Sequence, residues 1–100
     1  MPVNNMRERI LCAAIYFDDG TEHPHQPKNI KRGVVICDRR HHNAVVLATI
    51  MYPGVIGFDR NQGFLTSHDR YVDRATAAQL ALAAGQISAP TDQLFSEDLY

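Results

Sequence analysis

The stretch Gly63-Phe64-Leu65-Thr66-Ser67-His68-Asp69-Arg70-Tyr71-Val72-Asp73, running directly into Arg74-Ala75-Thr76-Ala77-Ala78-Gln79-Leu80-Ala81-Leu82-Ala83-Ala84-Gly85, decides how this chain is read. Gly63 to Ser67 and Arg70 to Val72 flank Ser67-His68-Asp69 and spell a short hairpin. Asp73 is then an N-cap, because a short side-chain oxygen at that position accepts from a first-turn N–H. Ala77, Leu80, Ala81 and Ala84 share one helical face, and Gly85 stands where a helix commonly ends.

Upstream, Ile10 to Phe17 is an apolar run that ends at Asp18-Asp19-Gly20, and Thr21 to His25 follows it. This predicts a second hairpin closed by an Asp-Gly turn. Pro24 and Pro27 lack the N–H a ladder needs, so Gln26 to Lys31 is expected at an edge or in a loop. Gly33 to Cys37 is another β-branched strand candidate, and it empties into Asp38-Arg39-Arg40-His41-His42-Asn43. Ala44 to Tyr52 fits a strand by propensity, yet Val46, Leu47, Ile50 and Met51 also mark one helical face. Asn43 as cap and Pro53-Gly54 as stop favour the helix. The expected fold is α+β: a small antiparallel sheet with about two helices in a single domain. It comprises a polar N-terminal arm at 1–9, a ligand-binding domain at 10–87 and a polar, acidic tail at 88–100, docked or frayed.

One hundred residues with 45% hydrophobic content suffice for one core without disulfides. Cys12 and Cys37 sit in apolar stretches and read as reduced core thiols. A net charge of -1 excludes the positive field that holds long nucleic acid. No run is apolar enough for a signal peptide or membrane span, which makes the cytoplasm the expected location.

Candidate chemistry concentrates on arginine. Arg70 and Arg74 flank the start of the last helix, where free N–H groups and the positive dipole end favour an anion. A first-turn arginine opposes that dipole, which a bound phosphate or an ordinary ion pair with a nearby aspartate would offset. Arg39, Arg40, His41, His42 and Asn43 lie at a strand-to-helix junction and offer further donors, or else a solvated basic turn capped by Asn43. Phe64 and Tyr71 neighbour the arginines and are candidates for stacking on a base, although alternation turns at least one inward. His23 and His25 would share one face of a strand and with His41 and His42 raise zinc as an option, but no third and fourth ligand falls at a recognised spacing, so no metal or other cofactor is expected. The chain has no glycine-rich phosphate loop, nucleophile elbow or Cys-x-x-Cys pair, so no catalytic residue is assigned.

Four blocks carry a resemblance: His25-x-Pro27-x-Asn29-Ile30; Arg39-Arg40-His41-His42-Asn43; Asn61-Gln62-Gly63-Phe64-Leu65-Thr66-Ser67; and Arg70-Tyr71-Val72-Asp73-Arg74. With the closing Ala84-Gly85-Gln86-Ile87, their order and spacing resemble the first-described phage Thoeris anti-defence family over Ile10 to Ile87. The resemblance implies an α+β domain that self-associates as a dimer or hexamer in the host cytoplasm. It also implies a sponge that encloses glycocyclic ADP-ribose without cleaving it, and in some members cyclic di- or trinucleotide signals of CBASS as well. The family's arginine pair on the ligand phosphates carries over to Arg70 and Arg74, and Asn43 and Phe64 stand for its adenine contacts. Two rival readings are an enzyme of nucleotide-signal breakdown with a histidine base, and a protein-binding inhibitor of a host factor.

Overall fold

The computed structural model describes residues 7–100. The predicted polar arm at 1–9 lies, as far as residue 6, outside the described residues. The elements are β1 (Ile10–Phe17), β2 (Val34–Asp38), α1 (His41–Met51), β3 (Gln62–Thr66), β4 (Tyr71–Asp73), α2 (Arg74–Ala83) and a 3-10 turn at Ser96–Asp98. The four strands form one antiparallel sheet in the order β2-β1-β3-β4. This is the expected α+β arrangement, and no helix among the described residues is long and apolar enough to cross a membrane.

The hairpin at 62–73 and the capped helix after it form as their local signals dictate. Asp73 accepts from Thr76 N–H at 2.8 Å. Gly85, at φ +74, ends α2 in a Schellman arrangement, with Gln86 N–H bonded to Ala81 O and Gly85 N–H to Leu82 O. Gln86 then pairs through its side-chain amide with both backbone groups of Ile10.

The first hairpin is a correction. Thr21 to His25 forms no strand, and β1 pairs with β2 instead, Ile15 opposite Ile36. Asp18 and Asp19 each fold back, accepting from Gly20 and Thr21 N–H, and Asp19 also bonds His23, so the chain turns on its own side chains. The loop that follows is tied to both sheet edges. Gln26 accepts from Val35 N–H on β2, and Asn29 bonds both backbone groups of Tyr71 on β4.

Both helices cover one face of the sheet. Ile10, Ala13, Phe64 and Val72 pack with Ala77, Ala78 and Ala81 of α2 and with Leu94. Ile15, Val34, Ile36 and Phe58 pack with Ala44 and Ala48 of α1. Helix α1 therefore buries its small residues and turns Val46, Leu47, Ile50 and Met51 outward. It begins at His41, earlier than expected, so Arg40 holds the cap position and Asn43 lies within the first turn. The tail is docked: Leu94 is fully buried and its N–H bonds Arg74 O at 3.0 Å. Cys12 and Cys37 are free and only half-buried.

Candidate anion and nucleotide pocket

The polar cluster after β2 becomes the start of α1. Arg40, extended at φ −123 and ψ 148, supplies no side-chain acceptor to the first-turn N–H groups, so that helix end keeps its positive partial charge uncapped. Its guanidinium bonds the backbone oxygen of Tyr100 through Nη2, while Nη1 is buried without an acceptor among the described residues. The Tyr100 ring lies 5.2 Å from the guanidinium carbons of both Arg39 and Arg40, and its hydroxyl donates to Arg39 O.

His41 is 7% exposed. Its Nε2–H donates to Gly63 O at 2.6 Å, and its ring meets Phe64 edge-on at 4.9 Å. Burial, with the charge of Arg74 added, pushes its pKa below the ordinary histidine value and favours the neutral ring. Glycine at 63 is required by the neighbouring strand, because a Cβ there would stand 2.1 Å from Val72 O and 2.9 Å from the Tyr71 ring.

Arg74 opens α2 and reaches back towards α1. Nη1 donates to Leu94 O at 2.7 Å, Nη2 donates to Gln62 Oε1 at 2.5 Å, and the guanidinium carbon lies 4.4 Å above the Phe95 ring. Arg40, His41, His42, Gln62, Arg74 and Phe95 border one cavity of about 430 Å³, within the usual size of a small-molecule site. Asp59 and Glu97 also border it, so donors suited to phosphate stand beside acceptors suited to hydroxyl or amino groups. A second cavity of about 480 Å³ shares Asp59, Gln62, Arg74 and Phe95 and extends to Arg60. A larger cleft of about 510 Å³ along Gly85 to Thr91 has no cation in its lining.

The remaining sequence candidates lie elsewhere. Arg70 is held by Glu8, which accepts from Nε at 2.8 Å and Nη2 at 2.7 Å, so Arg70 and Arg74 engage different partners at the two ends of β4. Phe64 is 0% exposed and borders the pocket only through His41. Asn43 is exposed on α1, and Arg39 faces Tyr100. Ala77 and Ala81 are buried inside the fold, and Ala84 is half-buried. His23 bonds Asp19, and no group of metal-holding side chains occurs among the described residues. Gln62, Asp59, Phe95 and Glu97 were missed by sequence reasoning; the one available signal was the apolar pair Leu94-Phe95 inside an acidic tail.

No curated protein and no solved structure matches this chain. The family described as "Phage T4 y16D protein" matches residues 9–100, a span that takes in the sheet, both helices and the tail that walls the pocket. The chain belongs to the phage T4 y16D protein family.

Proposed function

We propose that this phage-family protein sequesters a phosphate-bearing nucleotide signal of host immunity. In this reading the ligand is of the cyclic ADP-ribose type, glycocyclic ADP-ribose, and its removal silences Thoeris defence in the host cytoplasm. The observation that carries the reading is the convergence of Arg40, Arg74 and the uncapped start of α1 on one cavity. Asp59 and Glu97 beside them suit ribose hydroxyls, which bare phosphate lacks. His41 spends its Nε2 proton on Gly63 O, so that proton is not offered to a leaving group. Cyclic di- or trinucleotides, which some members of the resembled family take at separate sites, would bind away from this cavity. The outward apolar face of α1 supports self-association, as a dimer or as the repeating contact of a hexamer.

The test mixes protein with glycocyclic ADP-ribose, filters, then heats the retained protein. Depletion followed by intact return on heating supports a sponge. Permanent loss indicates an enzyme, and no depletion removes the nucleotide reading in favour of a protein-binding inhibitor.

A further inference from the structure

We propose that Phe95 is the stacking platform for a purine base, which makes this groove a purine-nucleotide site; the inference rests on the anion-binding reading above. Phe95 is 46% exposed although its neighbours Leu94 and Ser96 are buried at 0% and 2%. Its backbone is pinned, with its own N–H on Asp98 Oδ2 at 2.9 Å and Leu94 N–H on Arg74 O at 3.0 Å. The chain thus anchors the residues on either side and holds the phenyl ring out over the groove.

One side of that ring is already committed to a planar cation. The Arg74 guanidinium lies 4.4 Å from the centroid and is fixed by Leu94 O and Gln62 Oε1. The ring also borders both cavities that meet at Arg74, so a flat ligand can reach the part of the ring that Arg74 leaves open. A base there extends the guanidinium–ring stack by one layer, an arrangement favoured by dispersion and by the ring quadrupole. Arg40 and the start of α1, on the wall of the same cavity, take the phosphate. Asp59 and Glu97 supply acceptors for the exocyclic amino group and the ribose hydroxyls. A purine fits better than a pyrimidine because its two fused rings cover more of an exposed phenyl face.

The experiment compares AMP with ribose 5-phosphate by calorimetry on the intact protein. AMP should bind about tenfold more tightly, the increment typical of one stacked base. In Phe95→Leu the ratio should collapse towards one, and in Phe95→Trp it should persist. The chain has no other tryptophan, so emission of the Trp variant should be quenched by AMP and not by ribose 5-phosphate. Equal affinity of the parent for both probes, or an unchanged ratio in Phe95→Leu, overturns the stacking role while leaving the phosphate site standing. Failure of both probes to bind the parent overturns the anion-binding reading and this inference with it.

Discussion

The Glu8 carboxylate engages Arg70 in a bidentate pair, Oε2 accepting from Nε at 2.8 Å and Oε1 from Nη2 at 2.7 Å. The Thr66 hydroxyl donates to the same Oε2 at 2.5 Å. Arg70 therefore ties the first described residues to the hairpin end, a structural task that a freely exposed arginine would not have.

The pair makes stability depend on pH in a defined window. Hydrogen bonding from Arg70, helped by Thr66, holds the Glu8 carboxyl at about 2, below its ordinary 4.5. A depressed folded pKa means the stabilisation is present above 4.5 and lost as pH falls towards 2. Glu8→Gln should lower stability at neutral pH by about 1 kcal/mol, discounted for the exposure of Arg70. Urea midpoints of parent and variant should converge on acidification, and a gap that stays constant down to pH 2 would contradict the ionic account.

His41 acts in a higher window. Its folded pKa is lowered, chiefly by burial, so its contribution is complete above the ordinary value of 6.5 and declines as pH falls below it. An NMR titration of the His41 ring should give a midpoint below 6.5, and His41→Gln, which keeps a donor for Gly63 O, should flatten the loss of stability between pH 7 and 5. A midpoint above that value would mean the imidazolium is stabilised in the fold and the ring is not held neutral.

Placement separates the arginines by role. Arg40→Ala and Arg74→Ala should weaken binding of glycocyclic ADP-ribose by about tenfold to a hundredfold each, the worth of a charge-assisted contact. Arg70→Ala should act mainly on stability, because its guanidinium already has a partner in Glu8. Calorimetry that finds Arg70→Ala the most damaging to binding would require Glu8 to leave Arg70 when ligand arrives.

Much of the fold was legible because its signals are local. Asp73 and Gly85 bracket α2 by side-chain acceptance and positive φ, both properties of single residues. The loop after Phe17 was not legible, since the choice between Val34–Asp38 and Thr21 to His25 as partner of β1 turned on Asx bonds at Asp18 and Asp19 that compete with an ordinary hairpin turn. The site was half legible for a similar reason. Arg70 and Arg74 are four apart, which brings side chains together on a helix, but Tyr71–Asp73 is a strand and carries them about 13 Å apart along the chain. Arg40, His41, His42 and Arg74 were identifiable as candidates, while their meeting depends on a tail anchored by Leu94.

That anchor yields its own prediction. Leu94 is 0% exposed among Ala77, Ala78 and Ala81, small residues that leave room for one large side chain and little means to collapse around its loss. Leu94→Ala should cost about 3 kcal/mol. It should also weaken ligand binding, because Phe95 and the Leu94 carbonyl that holds Arg74 move with it. Stability lost with affinity unchanged would show that the tail is not a wall of the site.

Helix α1 carries no Asp, Glu, Lys or Arg, and its outward face presents Val46, Leu47, Ile50 and Met51 at 45%, 39%, 69% and 51% exposure. Its inward face buries alanines, so the larger apolar side chains contribute little to the core of one chain. Contiguous exposed apolar side chains on such a helix suit a self-complementary contact, in which the same face meets its copy across a two-fold axis. Ile50→Glu should change monomer stability by no more than about 0.5 kcal/mol, because the side chain is already in water. It would place like charges opposite each other in such a pair, so sedimentation should move from dimer or higher assembly to monomer. An assembly that survives Ile50→Glu unchanged places the contact on another surface, and a parent that sediments as a monomer at high concentration removes self-association through α1.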